Sequence, residues 1–289
     1  MSKPKATIMI PAYNAEKFLP QALESALNQT FRGSYEVLIV DDCSTDNSVE
    51  VIKDFQKKYP RLRLINHRKN QGAGYTRNTL LENSGGDVLV GLDNDDRLHP
   101  RALEKIVDCM NSNNKISFVY ANHEEINEEG NLLGVFKKDE CNKHFKDLIL
   151  HFHFPGHPRA WRKESIGNMR FDPSLTGVED YDFLLKVILS DWNNLQVGFI
   201  PEVLYSYRIH NNMVSQVKTQ ERIEKDTMTI LKKHLKNYGF YGDKEFEVAP
   251  IKYKNLHLWD HKVEGRGVMK EKAKQIAFNF LKNSTLYMK

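Results

Sequence analysis

The chain has few cysteines and no long apolar run. Its three cysteines, Cys43, Cys109 and Cys141, are widely separated among 289 residues. An odd, scattered set predicts neither a disulfide framework nor a zinc site, and it favours a reducing compartment. No stretch approaches the roughly 18–20 apolar residues of a membrane-spanning helix. The segment that begins at Met1 lacks a signal-peptide apolar core, so we expect a cytoplasmic protein.

Two common nucleotide-binding motifs are missing as well. No Gly-x-Gly-x-x-Gly follows the first predicted strand, and no Gly-Lys-Ser/Thr phosphate loop occurs anywhere in the chain. These absences argue against a dinucleotide-binding fold and a phosphate-loop NTPase. The sequence also has no internal repeat or low-complexity segment. Its content of 40% hydrophobic and 28% charged residues is typical of a globular protein.

The charge is unevenly distributed along the chain, although its net value is only +4. Residues 218–289 contain 16 Lys and Arg against 9 Asp and Glu, a balance of +7 that leaves −3 for the rest. Such a basic segment is either a solvated helical face or a contact surface for an anionic partner. We expect it to serve peripheral membrane contact or self-association, and not nucleic-acid binding.

Apolar runs alternate with helical periodicity over roughly the first 120 residues, a pattern typical of βα units on a parallel sheet. After residue 216 the pattern is helical throughout. We therefore predict an α/β domain over residues 1–215, with a mostly parallel sheet flanked by helices, and a helical extension over 216–289. Ser44 or Asp46 is a candidate N-cap for the second helix. The predicted strands include residues 7–10, 36–40, 63–65, 87–90 and 116–120, and a later helix spans 179–190.

An acidic run, Asp93-Asn94-Asp95-Asp96, directly follows one of the predicted strands. Burying several uncompensated carboxylates would cost many kcal/mol, so a cation is expected beside them. Mg²⁺ or Mn²⁺ carrying a phosphorylated substrate is the natural candidate, because carboxylate oxygens suit these ions. An acidic surface turn is the alternative interpretation.

Polar residues also follow the other strands, at the edge of the sheet where parallel α/β folds bind ligands. Pro11-Ala12-Tyr13-Asn14 follows the first strand and Asp41-Asp42 the second. A glycine-rich turn at residues 70–74 precedes the helix that carries Arg77, and it could offer backbone donors to phosphate. The sequence therefore predicts one ligand crevice at this edge.

Together these segments resemble glycosyltransferase family 2 over roughly residues 5–215. The resemblance implies the GT-A fold, which binds nucleotide sugars. The segments that carry it are Ile10-Pro11-Ala12-Tyr13-Asn14, Val40-Asp41-Asp42-Cys43-Ser44-Thr45-Asp46, Asn70-x-Gly72, Thr76-Arg77-Asn78, Leu92-Asp93-Asn94-Asp95-Asp96, Arg159-Ala160-Trp161-Arg162-Lys163, Phe171-Asp172, Gly177-Val178-Glu179-Asp180-Tyr181 and Tyr205-Ser206-Tyr207-Arg208-Ile209-His210.

The resemblance also implies individual roles. Asp42 would receive the nucleobase, and Asp93 would lie on the ribose side. Asp95 would bind a Mn²⁺ or Mg²⁺ ion, with Asp93 and His210 as further metal contacts. Asp180 would be the general base of an inverting transfer, although a helix N-cap is the alternative for it. The residues assigned to the nucleotide sugar are Pro11, Ala12, Tyr13, Asn14, Asp42, Gly72, Arg77, Asp93, Asn94 and Glu179.

The implied function is metal-dependent transfer of a sugar from a nucleoside-diphosphate sugar, with a UDP-sugar as the expected donor. The acceptor would be a hydroxyl group of a glycan, of a lipid-linked molecule or of another compound. Surface polysaccharide, oligosaccharide or glycolipid synthesis is the expected setting. Processive members of the family carry Gln-x-x-Arg-Trp, which this chain lacks. Two alternatives are a sugar nucleotidyltransferase on a related fold and an inactive protein that retains sugar-nucleotide binding.

Several aromatic and imidazole side chains allow two interpretations. Trp161 and Tyr181 could pack in the core or line the site. His151, His153 and His157 could form a metal cluster, but we expect scattered, partly buried histidines. The sequence names neither the sugar nor the acceptor.

Overall fold

The computed structural model describes residues 3–137, 157–191, 194 and 196–211, together with five helical residues of the C-terminal segment. Those five are Asp226, Thr229, Ile230, Lys233 and His234. The strands are β1 (Ala6–Ala12), β2 (Tyr35–Asp41), β3 (Leu62–Asn66), β4 (Val88–Gly91), β5 (Arg97–Leu98), β6 (Ile116–Ile126), β7 (Leu132–Phe136), β8 (Arg159–Arg162) and β9 (Gln196–Arg208). The helices are α1 (Leu19–Leu27), α2 (Ser48–Lys58), α3 (Ala73–Asn83), α4 (Ala102–Ser112), α5 (Lys163–Ile166) and α6 (Glu179–Ser190).

All nine strands belong to one sheet, in the order β3-β2-β1-β4-β8-β6-β9-β5, with β7 paired to β6. Strands β3, β2, β1 and β4 are parallel, as βα alternation predicts. Strand β8 then runs antiparallel between β4 and β6, while β6 and β9 are parallel. The first half of the chain thus builds a parallel sheet, and β8 joins it to the second half.

Alternate residues of the strands pack against helices on opposite faces of the sheet. Ile8 and Ile10 of β1 lie in one apolar cluster, which also contains the inward faces of α1, α2 and α4. Met9 of β1 and Leu38 of β2 lie in a second cluster with α3 and α6. Because helices cover both faces, these strands are buried along nearly their whole length, as their continuous apolar runs predict.

The sequence predicted most of these elements to within a few residues, and α6 has the predicted bounds. The proposed cap of the second helix was wrong, because α2 begins at Ser48 with Asn47 as its N-cap residue. Ser44 instead donates its hydroxyl proton to Asp41. Asp46 accepts a hydrogen bond from the Ser48 amide at 3.0 Å, but Asp46 lies one residue before the N-cap position.

The described part of the C-terminal segment packs on α6. Ile230 is 3% exposed and belongs to the same apolar cluster as α6. The His234 Nε2 atom lies 2.6 Å from the Asp182 Oδ1 atom. At least this portion beyond residue 215 therefore shares the core of the α/β domain. No helix in the described residues is long and apolar enough to cross a membrane.

Candidate active site

Strands β1 and β2 end side by side at one corner of the sheet. Ala12 pairs with Asp41, and the Asp42 amide donates to the Ala12 carbonyl at 2.8 Å. Tyr13 follows with 46% of its surface exposed, whereas Asp42 is 2% exposed. An exposed aromatic ring near a buried carboxylate provides an apolar face and a hydrogen-bond acceptor. This corner can bind a planar heterocycle.

The Asp42 carboxylate is held by the loop that leads into α3. Its Oδ2 accepts the Gly72 amide at 2.7 Å, and its two oxygens accept the Gln71 amide at 3.0 and 3.1 Å. Gly72 has a φ angle of +89°, which residues with a Cβ rarely adopt, so this turn depends on glycine. The sequence listed Gly72 among the nucleotide-sugar-binding residues, within a turn that could offer backbone donors to phosphate. In the structure the Gly72 amide donates to Asp42.

Hydrogen bonds join the loops that follow β1 and β2. The Asn14 side chain accepts the Thr45 amide at 2.8 Å, and the Asn14 amide donates to the Ser44 hydroxyl at 2.9 Å. Asn14 and Cys43 both have left-handed backbones, with φ angles of 46° and 64°. Such conformations cost roughly 1–2 kcal/mol each for residues with a Cβ. The cross-loop hydrogen bonds offset this strain and hold the corner in shape.

The acidic run after β4 forms the centre of the site. The Asn94 amide group donates to the Pro11 carbonyl at 2.9 Å and ties this loop to β1. The His210 Nε2 atom, just beyond β9, lies 2.9 Å from Asp95 Oδ2. These contacts bring the ends of β1, β4 and β9 together, as the parallel-sheet rule predicted for the first two.

The buried side chains of Asp96 and Arg208 hold this loop in place. Asp96 is 1% exposed and accepts the Tyr205 hydroxyl and the Arg208 amide, both at 2.7 Å. The Arg208 side chain is fully buried, and its Nε donates to the Asp95 carbonyl at 2.8 Å. Its other guanidinium contacts are the Asn127 and Glu128 carbonyls and the Gln21 side chain. This buried cation fixes the backbone position of Asp95.

Arg77 joins the acidic loop to α6. Its guanidinium donates to Asp93 Oδ1 at 3.2 Å and to Glu179 Oε1 at 2.7 Å. Burial disfavours the charged guanidinium, but the Asp93 and Glu179 carboxylates outweigh burial and raise the pKa of Arg77. Glu179 is 5% exposed, and its second oxygen has no hydrogen-bond partner among the described residues.

Asp180 lies in the first turn of α6 and forms an ion pair with Arg159 of β8. Its Oδ1 also accepts the Tyr181 amide at 2.7 Å, and 23% of its side chain is exposed. The N-cap interpretation of Asp180 is wrong, because Val178 occupies that position. The carboxylate is thus oriented by Arg159 while remaining partly exposed.

Comparison with known proteins identifies the family. A profile described as "Glycosyl transferase family 2" matches residues 7–168, more than half of the chain. An uncharacterized glycosyltransferase of Methanocaldococcus jannaschii is 32% identical over 244 residues, which cover 82% of this chain and 81% of that protein. The chain belongs to glycosyltransferase family 2.

Two solved glycosyltransferases have a similar fold. The S. aureus TarS fragment 1–349, in complex with UDP-GlcNAc, has a TM-score of 0.67 and 21% identity over 81% of this chain and 67% of that chain. The mannosyltransferase PcManGT from Pyrobaculum calidifontis, in complex with GDP-Man and Mn²⁺, has a TM-score of 0.58 and 15% identity over 96% of this chain and 86% of that chain. The glycosyltransferase described here has the GT-A fold.

Negative charge is in excess at the acidic loop of this glycosyltransferase. Burial raises the pKa of Asp93, which Arg77 lowers and Asp95 raises further, and the pKa lies above its ordinary value. Burial and the Asp95 and Asp93 charges raise the pKa of Asp96 well above its ordinary value. Buried carboxylates that raise one another's pKa in this way favour a bound cation.

The donor atoms at this loop fit a divalent ion. Asp93, Asp96 and His157 each offer one ligand atom, and these atoms lie within 4.8 Å of one another. The sequence grouped Asp93 with Asp95 and His210 instead, and those two pair with each other nearby. Carboxylate oxygens suit Mg²⁺ and Mn²⁺, and one imidazole nitrogen is compatible with Mn²⁺.

Three side chains at the candidate site were not predicted from the sequence. His157 was expected to be a scattered histidine, but its Nε2 lies 3.8 Å from Asp93 Oδ2. Arg159 was part of a quoted segment without a role, and His67, which contacts Asp42, was in no segment. His151 and His153 lie outside the described residues. Trp161 and Tyr181 are 5% and 0% exposed within the apolar core, which confirms the packing interpretation.

Proposed function

We propose that the protein is a metal-dependent inverting glycosyltransferase that moves a sugar from a UDP-sugar to an acceptor hydroxyl of a glycan, a lipid-linked or another molecule. One observation carries this proposal. Arg77 contacts Asp93 on one side and Glu179 on the other, and Asp180 is the next residue of the same helix. A donor held at the acidic loop would therefore lie beside the carboxylate that could activate an acceptor.

The corner at Tyr13 and Asp42 supports a uracil base. An exposed ring can stack on the base, and a carboxylate can accept the uracil N3–H. A carboxylate has about four lone-pair sites, and three donors, the two backbone amides and His67, already contact Asp42. The Gln71 amide is shared between the two oxygens, so the carboxylate has the capacity for one further donor, the uracil N3–H. Cytosine has an acceptor at N3, so the same carboxylate disfavours it.

The carboxylates of the acidic loop support a bound Mn²⁺ or Mg²⁺. Asp93 and Asp95 are the proposed first ligands. Asp96 and His157 offer donor atoms within 4.8 Å of that of Asp93, and His210 lies 2.9 Å from Asp95. When bound, such an ion offsets the charge that grows on a departing diphosphate. Arg77 supplies a second, permanent positive charge on the same side of the site.

Asp180 is the proposed general base. The acceptor oxygen forms a bond to the anomeric carbon as the bond from that carbon to the diphosphate oxygen breaks. The hydroxyl proton passes to the Asp180 carboxylate, and the diphosphate leaves with the bonding electron pair. Attack from the face opposite the diphosphate inverts the anomeric configuration, and Arg159 keeps the carboxylate oriented during this step.

Calorimetry with the purified protein tests the donor and metal assignments together. UDP should bind about tenfold or more tightly than CDP, because an unpaired buried partner costs roughly 1–3 kcal/mol. Chelation should weaken UDP-sugar binding markedly, and Asp95→Ala should reproduce that loss. Asp54→Ala is the matched control, since Asp54 pairs only with Lys57 at an exposed position of α2. Equal UDP-sugar affinity with and without chelator would contradict metal-dependent binding.

Slow hydrolysis of the donor separates an active enzyme from a protein that only binds sugar nucleotides. The purified protein should release free sugar from its UDP-sugar at a rate that falls in Asp95→Ala. No release from any of a panel of nucleotide sugars that bind would favour the inactive alternative. Membership of glycosyltransferase family 2 already argues against the sugar nucleotidyltransferase alternative.

A further inference from the structure

His67 connects the buried Asp42 carboxylate to helix α3. Its Nδ1 atom lies 2.7 Å from Asp42 Oδ1, and its Nε2 atom lies 3.0 Å from the Thr79 hydroxyl oxygen. The His67 and Asp42 side chains are 8% and 3% exposed, so water competes little for these contacts. His67 is therefore a built part of the corner, and not a surface residue that happens to lie nearby.

The direction of each hydrogen bond follows from the chemistry of the groups. An ionised carboxylate only accepts hydrogen bonds, so His67 Nδ1 carries a proton and donates it to Asp42. Nε2 of a neutral ring then accepts the Thr79 hydroxyl. That hydroxyl has a second, longer acceptor, the Tyr75 carbonyl at 3.3 Å. The Tyr75 ring contacts the His67 ring edge-on, at 5.9 Å between centroids, and so limits its movement.

His67 completes the set of donors that fixes the plane of the Asp42 carboxylate. The Gln71 and Gly72 amides hold it from the loop, and His67 holds it from the end of β3. A carboxylate fixed in this way presents its oxygens to the base in one orientation. A carboxylate held only by the loop could rotate, and a rotated carboxylate distinguishes less well between a donor and an acceptor at N3 of a pyrimidine.

We infer that His67 is a positioning residue that sets the preference of this enzyme for uracil over cytosine nucleotides, by orienting Asp42 through the Nδ1 hydrogen bond. This inference rests on the proposed function, in which the base of a UDP-sugar binds at Asp42. His67 itself need not touch the nucleotide.

Two amide substitutions separate the two hydrogen bonds of the ring. In His67→Asn the side-chain NH₂ reproduces the Nδ1 donor to Asp42 and loses the contact with Thr79. In His67→Gln the longer side chain reaches toward Thr79 and loses the donor to Asp42. The full chain and both variants should be titrated with UDP and with CDP by calorimetry, after circular dichroism has shown that each is folded.

The wild type should bind UDP about tenfold or more tightly than CDP. His67→Asn should keep most of this ratio of affinities. His67→Gln should bring the ratio close to one. A merely structural role would change both variants alike, so equal ratios in the two would overturn the inference. If the wild type prefers UDP and Asp42→Ala removes that preference while His67→Gln keeps it, the inference fails and the proposed function stands. If the wild type binds neither nucleotide, the proposed function fails and takes the inference with it.

Discussion

Asp180→Asn keeps the size of this side chain and its Oδ1 acceptor for the Tyr181 amide, and it removes the ability to take up a proton. A positioned general base contributes typically about 10²–10⁴-fold, which corresponds to roughly 3–5 kcal/mol of barrier. Transfer turnover should fall by that factor. Donor affinity should barely change, because Asp180 acts on the acceptor hydroxyl and the donor is held at Asp42, Arg77 and the acidic loop.

The same substitution also changes a structural contact. Arg159, which is 11% exposed at its side chain, loses the charge of Asp180 beside it. Leaving a partly buried group poorly paired costs roughly 1–3 kcal/mol of unfolding free energy. Turnover must therefore be measured on protein that is shown to be folded, so that lost stability is not mistaken for lost chemistry.

Asp182→Asn is the matched control, because it lies two residues further along the same helix. Asp182 is fully buried and contacts His234 and Lys186, each at 2.6 Å. Burial opposes its charge, but hydrogen bonds from these two partners lower the pKa of Asp182 below its ordinary value. This control should lose stability in urea unfolding while its turnover, once folded, stays within about threefold of the wild type.

Steady-state transfer rates, donor affinities from calorimetry and the anomeric configuration of the product from NMR complete the experiment. The product should have the configuration opposite to that of the donor. Retained configuration, or near-normal turnover of Asp180→Asn, would refute the assignment of Asp180 as the base. An equal loss of turnover in Asp180→Asn and in the Asp182→Asn control would show that helix stability, and not proton transfer, explains the effect.

Two further predictions concern stability. Burial opposes the charge of Glu36, but hydrogen bonds to the carboxylate outweigh burial and lower the pKa of Glu36. The ionised carboxylate therefore stabilises the fold above pH ~4.3, and this stabilisation is lost as the pH falls through the lowered pKa. The stability of Glu36→Gln should accordingly depend less on pH below about 4 than that of the wild type. Ending the chain at residue 215 removes buried Ile230 and His234, so by urea unfolding it should be at least about 2–3 kcal/mol less stable than a chain ending at 240. Equal stability of the two truncations would contradict this packing. Because the basic extension is proposed to serve membrane contact or self-association, the chain ending at 240 should also bind anionic liposomes more weakly, or self-associate less, than the full chain.

The layers of this protein, and the sheet edge at which its site forms, could be predicted from the amino-acid sequence. Continuous apolar runs such as that of β2 indicate strands buried on both faces, and the spacing of apolar residues in α1 indicates a helix with one inward face. These signals are local, because burial and backbone preference act over a few neighbouring residues. The parallel arrangement then brings the residues after β1, β2 and β4 to one edge, and that rule needs no side-chain detail.

Which side chains meet could be learned only from the three-dimensional arrangement of the elements. Arg159 and Asp180 are 21 positions apart, His67 and Asp42 are 25 apart, and His234 and Asp182 are 52 apart. Contacts of this kind depend on strand register, on helix docking and on loop paths, and residue type or spacing along the chain encodes none of these directly. Asp180 was therefore predictable as a carboxylate at the start of α6, but the arginine that orients it came into view only when β8 was placed beside β4.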